Sequence, residues 1–503
     1  MGAEILYQRG LPPQAHYVFK HMLIQEAAYQ SLLRSTRRQY HRQIAQVLEE
    51  RFPGTCEEQP ELLAHHYTEA GLQAPAVVYL QRAGQRAIER SAYVEAIAHL
   101  RQGLLLTAAL PDTPERLQHE LMLYMALGVT LAATQGYAAP DVEHAYLQAR
   151  ECCRQLGDPA PLFTVLRGLW LVYLTRAELP RAYEQGEHLL RLAQHHQEPT
   201  LLLEAHRALG TSLLFLGDLA TAWTHLERGI TLYEAQQHHA LTMSPGGDAG
   251  MACLVYTAWI LWLRGYPEQA LERIRTALAL AHQCQHPFCL AFALIWAAAL
   301  SQCRREFQAV SMQAEASMTL AQQQEFPLLM AMGTVFQGWV LAEQGREDEG
   351  IEQIRRGIAA FRATGAELLR PHFLGLLAEV YGRSARTDKG LEALDEALAL
   401  VDRTGERLHE SEFYRLKGHL LLARSMDHHP EAEAALHRAL TLARRQQAKS
   451  LELRAAVHLS RLWQQQGQHD QAQRLLGEVY GWFTEGFDTA DLKEAKALLD
   501  ELR

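Results

Sequence analysis

Cysteine is scarce: seven residues in 503, at positions 56, 152, 153, 253, 284, 289 and 303. That number excludes the disulfide framework of a secreted domain and favours a reducing, cytoplasmic setting. Basic charge is in short supply too. A net charge of −10 and a pI near 6.2 leave no surplus to neutralise phosphates, so nucleic acid is disfavoured as a partner. The longest strongly apolar runs, Met251–Leu263 and Phe288–Leu300, are 13 residues each. A membrane-spanning helix needs ~20, so no membrane partner is expected. The opening "MGAEILYQRGLPPQ" lacks the apolar core of a signal peptide.

Catalytic signatures are missing as well. No G-x-x-x-x-G-K-[ST], H-E-x-x-H, G-x-S-x-G or C-x-x-C occurs. The nearest glycine-rich stretch, Ser244–Gly250 "SPGGDAG", has no lysine and reads as a loop between repeats. "AHQCQHPFCLAF" crowds His282, Cys284, His286 and Cys289 into eight residues, but such close ligands would have to wrap too tightly for tetrahedral zinc. With Pro287 among them, a turn is expected. The pairs His65–His66, His195–His196, His238–His239 and His428–His429 are assigned to helix ends or loops without a ligand partner. The chain is therefore expected to be no enzyme and to hold neither metal nor cofactor.

What is present is a repeat. A small residue is followed twelve positions on by a second, four later by a large apolar residue, and three later by another small one. The copies include Gly210, Ala222, Leu226, Gly229; Ala258, Ala270, Ile274, Ala277; Gly338, Gly350, Ile354, Gly357; and Ala378, Gly390, Leu394, Ala397. Looser copies start at Ala297 and Ser460. A period near forty means a solenoid whose units bury their apolar faces only by stacking. The small residues let the two helices of a unit approach, and the large one is expected to fill a groove in the next unit. Turns such as "LRGYPEQA", "AEQGREDEG" and "YGRSARTDKG" each carry a glycine where a first helix would end. No segment sustains period-two alternation, so strands are not expected.

The 12-4-3 spacing resembles the tetratricopeptide repeat (TPR), although the units are longer than its ~34 residues. The resemblance implies an all-α, TPR-like right-handed solenoid of about ten helix pairs. The expected organisation is a helical segment at 1–58, a repeat array at 59–485 and a capping helix at 486–503. In TPR arrays the first helix of each unit lines the concave face. Positions around the first anchor then select Trp259, Trp262, Trp339, Glu379, Arg415 and His419 as partner-binding candidates, the alternative being that the tryptophans are core.

Residues 17–49 differ from the repeats. Phe19, Ile24, Ala27, Ala28, Leu32 and Leu33, then Ile44, Ala45 and Leu48, describe two amphipathic helices, with Arg34, Arg38 and Arg42 on one basic face. The stretches "FKHMLIQEAAYQSLL", "ELLAHHYTEAG", "AIERSAYVEAIAHLRQGL", "QGYAAPDVEHAY" and "LRGYPEQAL" resemble the region after the NTPase core in bacterial AAA/STAND-type signalling ATPases, the kind fused to class III nucleotide cyclase domains. That resemblance implies a non-catalytic scaffold or sensor that binds protein partners, an NTPase or cyclase domain among them. A ligand-sensing arm of a transcriptional regulator is the alternative.

Overall fold

The structure, a computed structural model, describes residues 6–9, 16–19, 21–157, 160–235, 247–284 and 286–503. His238–His239 and Ser244–Gly246 of the glycine-rich stretch lie outside these. The described residues hold twenty-five α-helices. Contrary to expectation they also hold two strands, β1 (Leu6–Arg9) and β2 (His16–Phe19), paired antiparallel with Leu6 opposite Phe19. Four residues per strand are too few for alternation to stand out in a sequence window. Phe19 accordingly belongs to a strand, and the first helix begins at Met22.

The chain forms two compact units, residues 1–134 with 145–158, and residues 135–144 with 159–503. In the first, the helices Arg34–Arg51 and Pro60–Ala70 share a core of Ala45, Cys56, Leu63, Ala64, Tyr67 and Leu80. The inward face of Arg34–Arg51 is His41 and Ala45, while Ile44 is 42% exposed and faces away from the core. Packing is therefore continuous across residue 58, where a boundary was expected.

The described residues of the second unit form eight helix pairs. Their first helices are Leu162–Thr175, Pro199–Leu216, Ala249–Leu263, Pro287–Cys303, Pro327–Glu343, Arg370–Arg383, Glu410–Arg424 and Lys449–Gln465. The helix Ala490–Glu501 follows and buries Leu492, Ala495, Leu498 and Leu499 against the last pair.

The small anchors do bring paired helices together. A Cβ on Gly210 would fall 2.5 Å from Leu226 Cγ, and one on Gly418 would fall 2.7 Å from Leu436 Cγ. The large residue of the motif thus seats on the small residue of its own pair, where the sequence pattern suggested a groove in the next. A Cβ on Gly338 would meet the Ile354 amide nitrogen at 2.8 Å and the Gly350 carbonyl oxygen at 2.9 Å. Backbone cannot swing aside, so Gly338→Ala is expected to cost about 1–3 kcal/mol. Gly477, helical with nothing within 4 Å of a built Cβ, is the matched control. There alanine should stabilise by about 0.5–1 kcal/mol. Urea unfolding of both variants checks the pair, and equal effects would overturn the assignment.

Turns between paired helices need one residue in the left-handed region. Gly265 and Gly345 supply it at φ +90° and +78°, as their motifs suggested. In "YGRSARTDKG" the residue is Ala385 at φ +57°, and Gly382 instead lies inside the helix against Leu420.

The second unit closes on itself. The Thr175 carbonyl accepts from the Glu367 amide (3.0 Å), and Phe215 O accepts from the Arg407 amide (2.8 Å). The carbonyl of Trp262 accepts from Ser450 Oγ at 2.5 Å. These carbonyls sit at the ends of the first three first helices, and their donors stand just ahead of or at the start of the sixth, seventh and eighth. One superhelical turn therefore takes five pairs. Carbonyls that helix ends leave without a partner are satisfied by groups one turn later.

Candidate functional site

Coiling turns the first helices toward a shared interior. A cavity of about 270 Å³ lies there, lined from the helices Ala249–Leu263, Pro287–Cys303, Arg370–Arg383, Glu410–Arg424, Lys449–Gln465 and Ala490–Glu501. Relative to the small anchors Ala378, Gly418 and Ser460, its walls repeat one helical stripe. Six positions before each anchor stand His372, Glu412 and Arg454. One position after stand Glu379, His419 and Arg461. The spacing of seven keeps both on one helix face.

Of the residues selected from sequence, Trp262, Glu379, Arg415 and His419 line this cavity. Trp339 Nε1 donates to Glu379 Oε2 at 3.4 Å. Trp259 packs edge-on against His409 with centroids 5.5 Å apart. All six gather in one region, but Trp259, Trp262 and Trp339 are only 1%, 4% and 2% exposed. All fifteen residues of Ala249–Leu263 are buried. The next superhelical turn covers what an open groove would have left to solvent. Arg34, Arg38 and Arg42 are exposed on one helix of the first unit and take no part in this site.

Five arginines and four carboxylates line the cavity. Arg415 donates to both Glu412 oxygens, at 2.9 and 2.8 Å, and to His458 Nε2 at 2.6 Å. Arginine only donates, so His458 Nε2 must carry the lone pair. Burial, reinforced by the neighbouring Arg415, holds His458 well below the usual histidine range and keeps it neutral. Arg454 bridges Asp491 Oδ2 (2.8 Å), Glu412 Oε1 (3.4 Å) and the Cys303 carbonyl (2.5 Å). Glu494 receives Arg305 at 2.8 Å and Arg461 at 2.7 Å. Burial works against ionisation of Glu412, but the Arg415 and Arg454 guanidiniums outweigh it and hold its carboxyl at about 2.

His372 and His409 stack with centroids 4.3 Å apart. Burial holds His372 at about 4 and, with His372 beside it, His409 well below its usual range. Among the described residues neither ring nitrogen of His409 finds a hydrogen-bond partner, and neither does His372 Nε2 or Trp259 Nε1. Each neutral imidazole offers one donor and one acceptor, so the wall asks for a polar guest with both. One arginine in excess adds a preference for negative charge.

Sequence reasoning missed His372, His409, Glu412, Arg454, His458, Asp491 and Glu494. Arg461 was within its reach, one position after the Ser460 anchor. The −6 stripe was legible in the same alignment, whereas Asp491 and Glu494 come from a helix outside the repeat. Among the described residues the zinc-like run does not gather three ligands: His286 caps the helix Pro287–Cys303 through the Phe288 amide (3.2 Å), the Cys284 and Cys289 thiols pair with each other, and burial pushes Cys289 up to about 12. His65–His66 lies mid-helix in Pro60–Ala70 and not at a helix end.

No family model matches the chain. Over 448 residues it is 24% identical to a protein of Rhizobium meliloti (strain 1021) described as uncharacterized protein R02095. The match covers 88% of this chain and 43% of that protein, so the chain spans less than half the length of the relative it matches. Among solved structures, the Rap protein complexed with competence and sporulation factor is 12% identical with a TM-score of 0.39, covering 85% of this chain and 99% of that one. Yeast Tom70 is 12% identical at 0.35, over 92% and 96%. Cut9–Hcn1 of the APC/C is 12% identical at 0.41, over 79% and 83%.

Proposed function

We propose that this chain is a non-catalytic, TPR-like scaffold and sensor that binds protein partners and regulates an attached or partner signalling ATPase or nucleotide cyclase. The observation that carries the proposal is the interior cavity, whose walls come from two successive superhelical turns. A guest touching Trp262 or Cys303 on one turn and His409 or Arg415 on the next binds the closed coil better than an opened one. Such differential affinity is what couples occupancy to conformation. The N-terminal stretches that resemble the region following an NTPase core support the choice of output.

Crosslinking in native cells, read by mass spectrometry, identifies the polypeptide bound to this chain. Nucleotide turnover by that polypeptide is then measured alone, with this chain, and with the Arg415→Met chain. The expected result is an ATPase or cyclase whose turnover changes several-fold with the native chain and less with the variant. Crosslinks only to proteins without nucleotide chemistry, or unchanged turnover, would overturn the proposal. The unpartnered histidine nitrogens and the small volume also favour a second reading, a small-ligand-sensing arm of a transcriptional regulator. Steeply salt-dependent DNA binding by the crosslinked complex selects that reading.

A further inference from the structure

In the first unit three imidazoles from two helices converge. His41 comes from the inward face of Arg34–Arg51, and His65 and His66 come from Pro60–Ala70. One nitrogen from each lies within 4.8 Å of those of the other two. His41 Nδ1 and His66 Nδ1 are 2.7 Å apart. The ring of His65 stands 5.5 Å from each of the others, centroid to centroid. Among the described residues no other group of histidine, cysteine or carboxylate ligands gathers so closely.

We propose that His41, His65 and His66 form a binding site for a divalent transition metal, zinc above all. Three imidazoles with an open fourth position are a common zinc donor set. Zn–N bonds of 2.0–2.1 Å at a tetrahedral angle place the nitrogens about 3.3 Å apart. His41 and His66 would open by roughly 0.6 Å and His65 would close in, changes within the reach of side-chain torsions. His65 is exposed, which leaves the fourth position open to water.

The surroundings make this more than a chance meeting of histidines. His41 Nε2 is 2.9 Å from Tyr29 Oη, and Tyr29 Oη lies 3.4 Å from Glu69 Oε2. With the tyrosine hydroxyl donating to Glu69, its oxygen accepts the His41 Nε2 proton. That tautomer leaves the lone pair on Nδ1, the nitrogen that faces His66. A carboxylate reaching a ligand imidazole through a hydrogen-bonded neighbour is the outer shell that metal sites use to fix ring orientation. The two helices are locked together by Tyr67, which donates to Glu49, and Tyr79 of the following helix, Gln73–Glu89, donates to the same carboxylate at 2.6 Å. Ligands on packed helices keep their geometry.

The test uses the untagged full chain, stripped with chelator and titrated with Zn²⁺ by calorimetry and with Co²⁺ by visible absorption. One tight equivalent is expected, with the intense d–d bands of a four-coordinate cobalt and no thiolate charge-transfer band. His66→Ala should abolish that equivalent, and Tyr29→Phe should weaken it 10–100-fold. The double variant His195→Ala/His196→Ala, at an unrelated pair, should bind as the native chain does. If His66→Ala fails to fold, Tyr29→Phe decides alone. Absence of a stoichiometric equivalent in the native chain would overturn the site, as would native affinity in folded His66→Ala or in Tyr29→Phe.

Discussion

Replacing Arg454 with methionine is expected to cost about 3–5 kcal/mol, because it removes the cation shared by two interior carboxylates and leaves Asp491 with one longer ion pair. Arg454 is the bridge between Glu412 and Asp491, and it also ties the Lys449–Gln465 helix to the Cys303 carbonyl of the preceding superhelical turn. Methionine fills the volume and supplies none of the three bonds. Arg415 would still hold Glu412, whereas Asp491 would keep only Arg305, 3.6 Å away. The pH dependence identifies the cause. Glu412 titrates at about 2 in the folded chain, below the ~4.3 of an unfolded glutamate. Its contribution is therefore present above pH ~4.3 and lost as pH falls toward 2. Without Arg454 the folded value rises, the contribution shrinks, and unfolding sets in at milder acid. Denaturant unfolding from about pH 2 to pH 7 checks both parts. A loss below about 1 kcal/mol at neutral pH would show that solvent reaches Glu412 and Asp491 freely.

This arginine shows where sequence legibility stops. The helix pairs were legible because close approach needs small residues at fixed spacing, and Gly338 and Gly350 do touch as the motif demands, although Ile354 seats on Gly338 of its own pair and not in the next. Legible too was the inward stripe of the first helices, so Glu379, Arg415 and His419 were found from anchor positions alone. The number of pairs per superhelical turn was not. It depends on small angles accumulated over five pairs, and it is fixed by backbone bonds such as Arg407 N to Phe215 O that carry no side-chain signature. Hence Trp259 and Trp262, which the pattern placed in a groove, are covered by the next turn, while Trp339 is buried beside Glu379 of the adjacent pair. Asp491 and Glu494 enter the cavity from a helix without a repeat motif. His41 met His65 and His66 for a similar reason: its partners lie on another helix, and no spacing rule links them.

The connection between turns also contains a group whose charge opposes folding. Glu406 is 2% exposed, and its carboxylate oxygens accept the Leu369 amide at 3.1–3.2 Å. Burial pushes this carboxyl up to about 8, with the nearby Glu367 acting in the same direction and the Leu369 amide against it. The folded chain therefore holds the Glu406 proton up to pH 8, while the unfolded chain releases it near pH ~4.3. Between those values the folded state binds more protons than the unfolded one. Stability accordingly falls as pH rises, on the order of 4 kcal/mol across the window. Glu406→Gln does not ionise and keeps an oxygen to accept the Leu369 amide. The variant is expected to match the native chain near pH 4 and to exceed it increasingly toward pH 8, read as melting temperature against pH. The amides of Glu367 and Arg407, which bond the preceding turn on either side of this carboxyl, provide a local readout. Corrected for base catalysis, their hydrogen exchange should quicken between about pH 5 and pH 8 in the native chain and stay level in Glu406→Gln. Parallel melting curves for the two proteins would mean that Glu406 is ionised at neutral pH in the folded chain. The Leu369 amide would then be strong enough to hold a bare carboxylate inside the coil.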